Sequence, residues 1–330
     1  MNLRIIKPGV LDSLQDQGRY GWQQLGINPG GAMDRYAARV ANVLVGNDPM
    51  EAVIEMHFPA STYFFEKPAL IAVAGADFSA SVNGEPVPCC APVLVSKFSI
   101  LQFHTVVHGA RSYLAVHGGF ALEPWLNSNS THLKAGIGGF EGRSLQKDDD
   151  IPMRTEIDFS SRLQKKEFEI LPWKTDMAAG EDAAGEIAVL PGHEWERLDE
   201  ASRELFLRQE VVISHQSDRM GYGLRSGVLQ TTTNEEMVSS AVNFGTVQLL
   251  PDGQMIGLMA DHQTAGGYPR IAHVITAHHH RLAQLKPGDR FRFRMVDQTE
   301  AESLLIRQQQ QLLQLQNACS FKIDELLHAH

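Results

Sequence analysis

Residues 256–276 read Ile-Gly-Leu-Met-Ala-Asp-His-Gln-Thr-Ala-Gly-Gly-Tyr-Pro-Arg-Ile-Ala-His-Val-Ile-Thr. An apolar run, Ile256–Met259, stops at a polar turn that carries Asp261, Gln263, Thr264, Gly266, Gly267 and Tyr268. A second β-prone run follows at Val274–Thr276. Short runs of this kind, cut by Gly, Pro and Asn, mark a sandwich or barrel. Gly and Pro suffice for a turn. The added Asp, Gln and Thr point to a barrel mouth that presents polar side chains. Asp261 is a candidate general base or amide-nitrogen acceptor, and its burial decides which.

The same punctuation recurs outward, at Leu70–Ala74, Val93–Val95, Ile100–Val107, Tyr113–Val116, Glu186–Leu190, Val211–Ser214, Val247–Leu250 and Arg290–Val296. The expected fold is mainly β with a few helices. Asp34–Leu44 has apolar residues at helical spacing, Asp34 as N-cap, and Gly46-Asn47-Asp48-Pro49 as its stop. Glu200–Gln209 is a second helix candidate. From Thr299 to His330 the chain has no Gly or Pro, and it repeats Leu304, Leu305, Leu312, Leu313 and Leu315 near helical spacing. That tail reads as a terminal helix packed on the body or on a partner. A composition shift between Asp148 and Gly185, with the charged run Lys165-Lys166-Glu167 and the stretch Ala178–Gly185, suggests a boundary. The expected divisions are an N-terminal β-rich lobe over 1–185, a C-terminal barrel lobe over 186–298, and a helical tail over 299–330.

The chain has 330 residues, 29 Lys and Arg against 39 Asp and Glu, a net charge of −10, and 43% hydrophobic residues. That composition is globular, and its acidity weighs against nucleic acid or an anionic membrane as partner. The N-terminus turns polar early, so no signal peptide is expected, and no apolar run reaches the roughly 18 residues of a membrane span. Of 3 cysteines, Cys89 and Cys90 are adjacent, which fits neither a disulfide framework nor zinc spacing. A cytoplasmic setting follows. His104, His108 and His278-His279-His280 supply imidazoles without a full ligand set, and successive residues of a strand face opposite ways. Cys89 and Cys90 also lack the His–Asn company of a thiol nucleophile.

Three other polar segments stand out. In Leu14–Trp22 and Gly30–Asp34, Gln17, Arg19 and Asp34 supply donors and acceptors among glycines, unless Arg19 and Asp34 pair with each other. Asn127–Thr131 precedes a glycine-rich stretch, Gly136–Arg143. There Ser128, Ser130 and Thr131 form either an oxyanion or phosphate concavity or ordinary turn chemistry; a P-loop string is absent. In Ser217–Arg225, Arg219 and Arg225 suit a carboxylate or phosphate, the alternative being a structural Asp218–Arg219 pair.

Together the strings LQDQGRYGWQQLGINPGGAMD, ANVLVGND, SNSTHLKAGIGGFEGR, SDRMGYGL, MADHQTAGGYPRIAHVI and AQLKPGDRFRF resemble the allophanate hydrolase subunit 2 family. The family is also labelled biotin-dependent carboxyltransferase-like, and one of its types is the C component of 5-oxoprolinase. The resemblance implies a cyclophilin-like β-barrel architecture in two lobes. It also implies a B-type partner of the allophanate hydrolase subunit 1 family and an A-type partner, which together open 5-oxoproline to glutamate with ATP. Two other activities occur in the family: carboxyl transfer from biotin to urea or a related amide, and antagonism of a kinase inhibitor. No biotin-attachment Met-Lys-Met string is present and the length leaves no room for a biotin carboxylase, which favours the 5-oxoprolinase type; biotin enters only under the carboxyltransferase alternative. Carried to matching positions, the resemblance makes Asp261, Gln263 and Arg219 catalytic. It makes Gln17, Arg19, Asp34, Ser128, Ser130, Thr131, Thr264, Gly266, Gly267 and Tyr268 substrate- or phosphate-binding, with no metal. Two positions depart from the family pattern: Gly223, where Arg is common, and His278, where Asp is common.

Overall fold

Along strand Asn2–Lys7, Leu3 and Ile5 are buried while their neighbours are partly exposed. This is the period-two pattern that turns one face of a strand to a core. The computed structural model that shows this describes residues 2–154, 160–163, 166–177, 185–233 and 237–328. Lys165 of the charged run and most of the Ala178–Gly185 stretch lie outside the described residues. The chain divides into two units: Met1–Arg19, Asp34–Ala179 and Gln310–His330 in the first, Tyr20–Met33 and Gly180–Gln309 in the second.

The first unit contains two six-stranded sheets. One runs Asp150–Pro152, Asn2–Lys7, Thr62–Phe65, Ser99–Phe103, Ala80–Val82, Glu85–Pro86; the other runs Phe168–Ile170, Pro92–Val95, Ala69–Asp77, His108–Val116, Val53–His57, Ser13–Gln15. Their shared core takes Leu3, Ile5, Tyr63 and Phe65 from the first sheet and Ile54, Met56, Ile71 and Leu114 from the second. Helix α1 (Arg35–Leu44) packs on strands Ala69–Asp77 and His108–Val116. It begins where the Asp34 carboxylate accepts from Ala37 N at 2.8 Å, the N-cap expected from the sequence. It stops at Gly46, whose φ of 75° favours glycine.

The second unit is built on a closed barrel of seven strands, in the order Glu186–Pro191, Arg270–Val274, Thr246–Leu249, Met255–Leu258, Gly221–Arg225, Val211–Ile213, Arg290–Met295. The last closes on the first in parallel, with Ile187 opposite Phe293; the other pairings are antiparallel. Helix α2 (Glu200–Arg208) is capped by Asp199 and packs on strand Arg290–Met295. Its Phe206 ring stacks 4.7 Å from Phe293 and meets Trp195 edge-on at 5.3 Å. The fold is thus mainly β, with a barrel, few helices and a C-terminal helix.

The run expected at Val274–Thr276 is corrected. The strand is Arg270–Val274, and a 3-10 turn takes Thr276–His278 before a short helix, His279–Ala283. The chain leaves the sheet because Ile275 N donates to Ala188 O at 3.1 Å, while His278 Nδ1 accepts from Ala188 N at 2.9 Å. The histidine triplet is therefore not in a strand, and the opposite-faces argument does not apply to it.

Helix α3 (Gln298–His328) occupies the tail. Ala301, Leu304 and Leu305 pack on Ala188, Ile275, Ala277 and Val296 in the second unit. In the first unit Leu312, Cys319 and Ile323 are buried, a stripe at helical spacing, whereas Leu313 is exposed. No helix among the described residues is long and apolar enough to cross a membrane.

A buried ion pair in the barrel unit distinguishes Glu194, whose carboxylate takes Arg270 Nε at 3.0 Å, Nη2 at 2.9 Å and the Arg270 amide at 2.8 Å. Burial alone raises the carboxyl, but these Arg270 bonds reverse that and hold it below the usual range. A depressed folded-state value stabilises the fold above the unfolded value of about 4.3, and that stabilisation is lost as pH falls through the folded value. Glu194→Gln is expected to destabilise the chain clearly at pH 7 and much less near pH 3. Urea unfolding at the two pH values checks this, and an equal loss at both rejects the ionic account.

Candidate functional site

In the barrel unit the polar turn after strand Met255–Leu258 lies against the turn before strand Gly221–Arg225. Met259 N donates to Met220 O at 3.0 Å and Asp261 N to Arg219 O at 2.7 Å, so the two turns are stitched by backbone. Across this seam Arg219 Nε donates to Asp261 Oδ2 at 2.9 Å and Nη2 to Oδ1 at 3.1 Å, a two-pronged pair. The two side chains are only 7% and 11% exposed. Arg219 Nη2 also donates to Gly31 O at 2.6 Å, and Asn28 Nδ2 donates to Asp261 O at 3.1 Å. The Asp218 carboxylate accepts from Met220 N and Gly221 N. Arg225 stands exposed at the end of its strand.

The pairing decides what Asp261 can do. A carboxylate offers about four lone-pair sites; Arg219 takes one on each oxygen, which leaves room to accept an amide N–H.

The rest of that turn points elsewhere. Gln263 is exposed and its carbonyl accepts from His262 Nδ1 at 2.6 Å. The carbonyl of Thr264 accepts from Val242 N. Gly266 pairs with Ser240 in a two-stranded ribbon, and a Cβ there would come within 2.6 Å of Gln248 Nε2. Gly267 and Tyr268 line a cavity of about 930 Å³ with Arg197, Thr231, Met237 and Asp252, and neither Asp261 nor Arg219 is among its lining residues. Its volume is that of a small-molecule pocket.

The first unit brings a second group together around Asp16. Its carboxylate accepts from Ser128 Oγ at 2.8 Å, Ser130 Oγ at 2.5 Å, Asn129 N at 2.5 Å and Gly18 N at 2.7 Å. Thr131 Oγ1 donates to Leu14 O at 2.9 Å. Arg19 Nη2 donates to Ser130 O, and its guanidinium lies 4.8 Å from the Trp125 ring centroid. The Ser128, Ser130 and Thr131 hydroxyls are thus committed within the protein, and the Asp16 charge occupies the place where an anion was expected. They do not fit a phosphate in this arrangement, because two like charges would share one buried site. Gln17 Nε2 reaches Arg35 O at 3.5 Å, and Asp34 is fully buried as the cap of α1, its amide donating to Tyr113 Oη at 2.8 Å.

Asp16 is the residue that sequence reasoning passed over. Its signal is the Asp-x-Gly string, an Asx-turn pattern, and Gly18 N does close that turn. Trp125 and Asn28 carried no comparable local signal. The glycine-rich stretch beside Thr131 is tightly folded: at Gly142, φ is 68° and a Cβ would overlap Gly136 O. Gly142→Ala is expected to cost about 3 kcal/mol, from the left-handed backbone and overpacking together. Thermal unfolding measures it; a loss below about 1 kcal/mol would mean the stretch yields freely. Among the described residues no three His, Cys, Asp or Glu side chains gather to hold a metal ion.

The chain thus combines a closed barrel that bears a buried Arg–Asp pair with a unit of two sheets around a shared core. The carboxyltransferase domain, subdomain A and B, matches residues 25–295, and the chain belongs to that family. It is 38% identical to the C component of 5-oxoprolinase from Escherichia coli (strain K12) over 309 residues, 94% of this chain and 95% of that protein. It is 27% identical to urea amidolyase of Saccharomyces cerevisiae over 92% of this chain, which spans only 17% of that protein. The crystal structure of the K. lactis urea amidolyase superposes with a TM-score of 0.86 at 23% identity, covering 95% of this chain and 20% of that one, and shares the fold.

Proposed function

We propose that this chain is the C-type component of a cytoplasmic, ATP-dependent 5-oxoprolinase that opens 5-oxoproline to glutamate with a B-type and an A-type partner. The end-to-end match with the E. coli protein carries this reading, because the likeness to urea amidolyase covers one small part of a much longer protein. The chemistry of the barrel turn supports it. Asp261, paired with Arg219 through both oxygens, accepts the lactam N–H and fixes the ring. Gln263, exposed beside it, offers an amide to the substrate carboxylate or carbonyl. Thr264 and Gly266 hold the turn through Val242 and Ser240, and Gly267 and Tyr268 offer a separate binding surface in the cavity of about 930 Å³. Gln17, Arg19, Asp34, Ser128, Ser130 and Thr131 act in this proposal by holding the loops of the first unit, not by touching phosphate. ATP enters as the reaction's co-substrate within the complex.

The test is assembly. Co-purified with B-type and A-type partners, the chain is expected to support ATP hydrolysis only when 5-oxoproline is present, with glutamate released in step. A complex that forms but leaves both unconsumed rejects the reading. The urea amidolyase likeness favours a second reading, a biotin-dependent carboxyltransferase component. Carboxylation of urea by carboxybiotin in the same assay would select it.

A further inference from the structure

Cys89 and Cys90 take no part in either cluster described above. They sit in the turn that leads into strand Pro92–Val95 of the first unit. Cys90 has a φ of 58°, a left-handed backbone uncommon for a residue with a Cβ. It is held there by its amide, which donates to Val73 O at 2.7 Å, and by its carbonyl, which accepts from Thr175 N at 3.0 Å. This turn sets the two sulfurs 3.5 Å apart, with Cys89 Sγ also 3.6 Å from Val73 O. Cys89 is partly exposed and Cys90 is 8% exposed. Strained backbone that the surroundings over-determine is a common companion of reactive positions.

We propose that Cys89–Cys90 is a modification site, a vicinal dithiol that hydroperoxide oxidises to a disulfide within the chain. The sulfur-to-sulfur hydrogen bond lowers the Cys90 thiol although burial opposes it, and the same bond, with burial, raises Cys89. We take Cys90 as the nucleophile and Cys89 as the resolving thiol beside it, a pairing that redox-sensing cysteines share. The Cys90 thiolate attacks one peroxide oxygen; the O–O bond breaks, and the leaving hydroxide takes a proton to become water. Cys90 now carries a sulfenic acid. The Cys89 sulfur attacks the Cys90 sulfur, the S–O bond breaks, and the Cys89 proton leaves with the hydroxyl as a second water. Two thiols and one hydrogen peroxide give one disulfide and two waters. Closure brings the sulfurs from 3.5 Å to about 2.05 Å. Hydrogen peroxide is small enough for so covered a sulfur, unlike a bulky disulfide oxidant.

Cys319 serves as an internal control. It is 1% exposed and burial pushes its thiol up to about 11, which keeps it protonated and inert. The folded chain is treated with one equivalent of hydrogen peroxide, alkylated in denaturant and analysed by peptide mass spectrometry. The expected result is loss of two of the 3 thiols, a peptide containing both residues lighter by two hydrogens, and recovery with dithiothreitol. In Cys89→Ser, which needs little rearrangement to fold, a dimedone adduct is expected on Cys90. Retention of all three thiols, dimedone capture on Cys89 in Cys90→Ser at the same rate, or a disulfide between chains would overturn the proposal.

Discussion

Asp261→Asn is expected to lower kcat/KM for 5-oxoproline in the assembled complex by about 100-fold or more, near 2.7 kcal/mol of transition-state stabilisation at about 1.36 kcal/mol per decade. An asparagine carries no charge and turns one of its two oxygen acceptors into a donor facing Arg219 Nε or Nη2. Arg219, 7% exposed on its side chain, then keeps a buried charge without its partner. Breaking such a pair from one side costs about 3–5 kcal/mol, so the isolated chain should also melt earlier. The two effects are separable. In Arg219→Met with Asp261→Leu both charges go at once, which is often close to neutral for folding. That double variant is expected to recover most of the lost stability while the complex remains inactive. Wild-type turnover in Asp261→Asn, with the chain folded, would remove Asp261 from the chemistry. Recovery of turnover in the double variant would make the pair purely structural.

The second large effect is expected at Asp16. Asp16→Ala removes an acceptor that holds Ser128 Oγ, Ser130 Oγ, Asn129 N and Gly18 N. Hydrogen bonds to a charged group contribute about 1.5–3 kcal/mol each, and orphaned buried donors add a desolvation cost. These terms do not add fully, since the four share one carboxylate. A loss of about 4 kcal/mol is expected, a fall in Tm on the order of 10 °C. Asp16→Asn, which keeps one acceptor oxygen, should lose roughly half as much. Circular dichroism melts of the two variants measure this, and a loss under about 1 kcal/mol in Asp16→Ala would show that the cluster is held by other contacts. In the complex, a proportionate loss of activity is expected only as the loops of the first unit loosen.

Much of the fold was legible because it depends on local rules. The helix at Arg35–Leu44 was visible from Asp34 and from the glycine after it, and both do the jobs that their chemistry dictates. Strand Val53–His57 was not visible, since Val53 to Met56 are all buried and no alternation announces them. The end of strand Arg270–Val274 was hidden because Ile275 and Thr276 have strand character, and only Ala188, from a distant strand, draws the chain away. Leu313 fits a helical apolar repeat yet is exposed, because a repeat does not say how wide a stripe its surroundings cover.

The site divides in the same way. By itself the sequence determined which residues gather in one polar turn and that Asp261 and its neighbours follow an apolar strand. These are properties of residue type and of spacing along a few positions. The tertiary structure alone decided that Arg219 pairs with Asp261, and that Asp16 meets Ser128 and Ser130. The partners stand 42 positions apart in the first case and 112 and 114 in the second. A side chain's type states what it can donate or accept. Which partner it meets, and whether that partner leaves it free for substrate, depends on how the barrel closes and the loops pack, and local sequence carries no term for that.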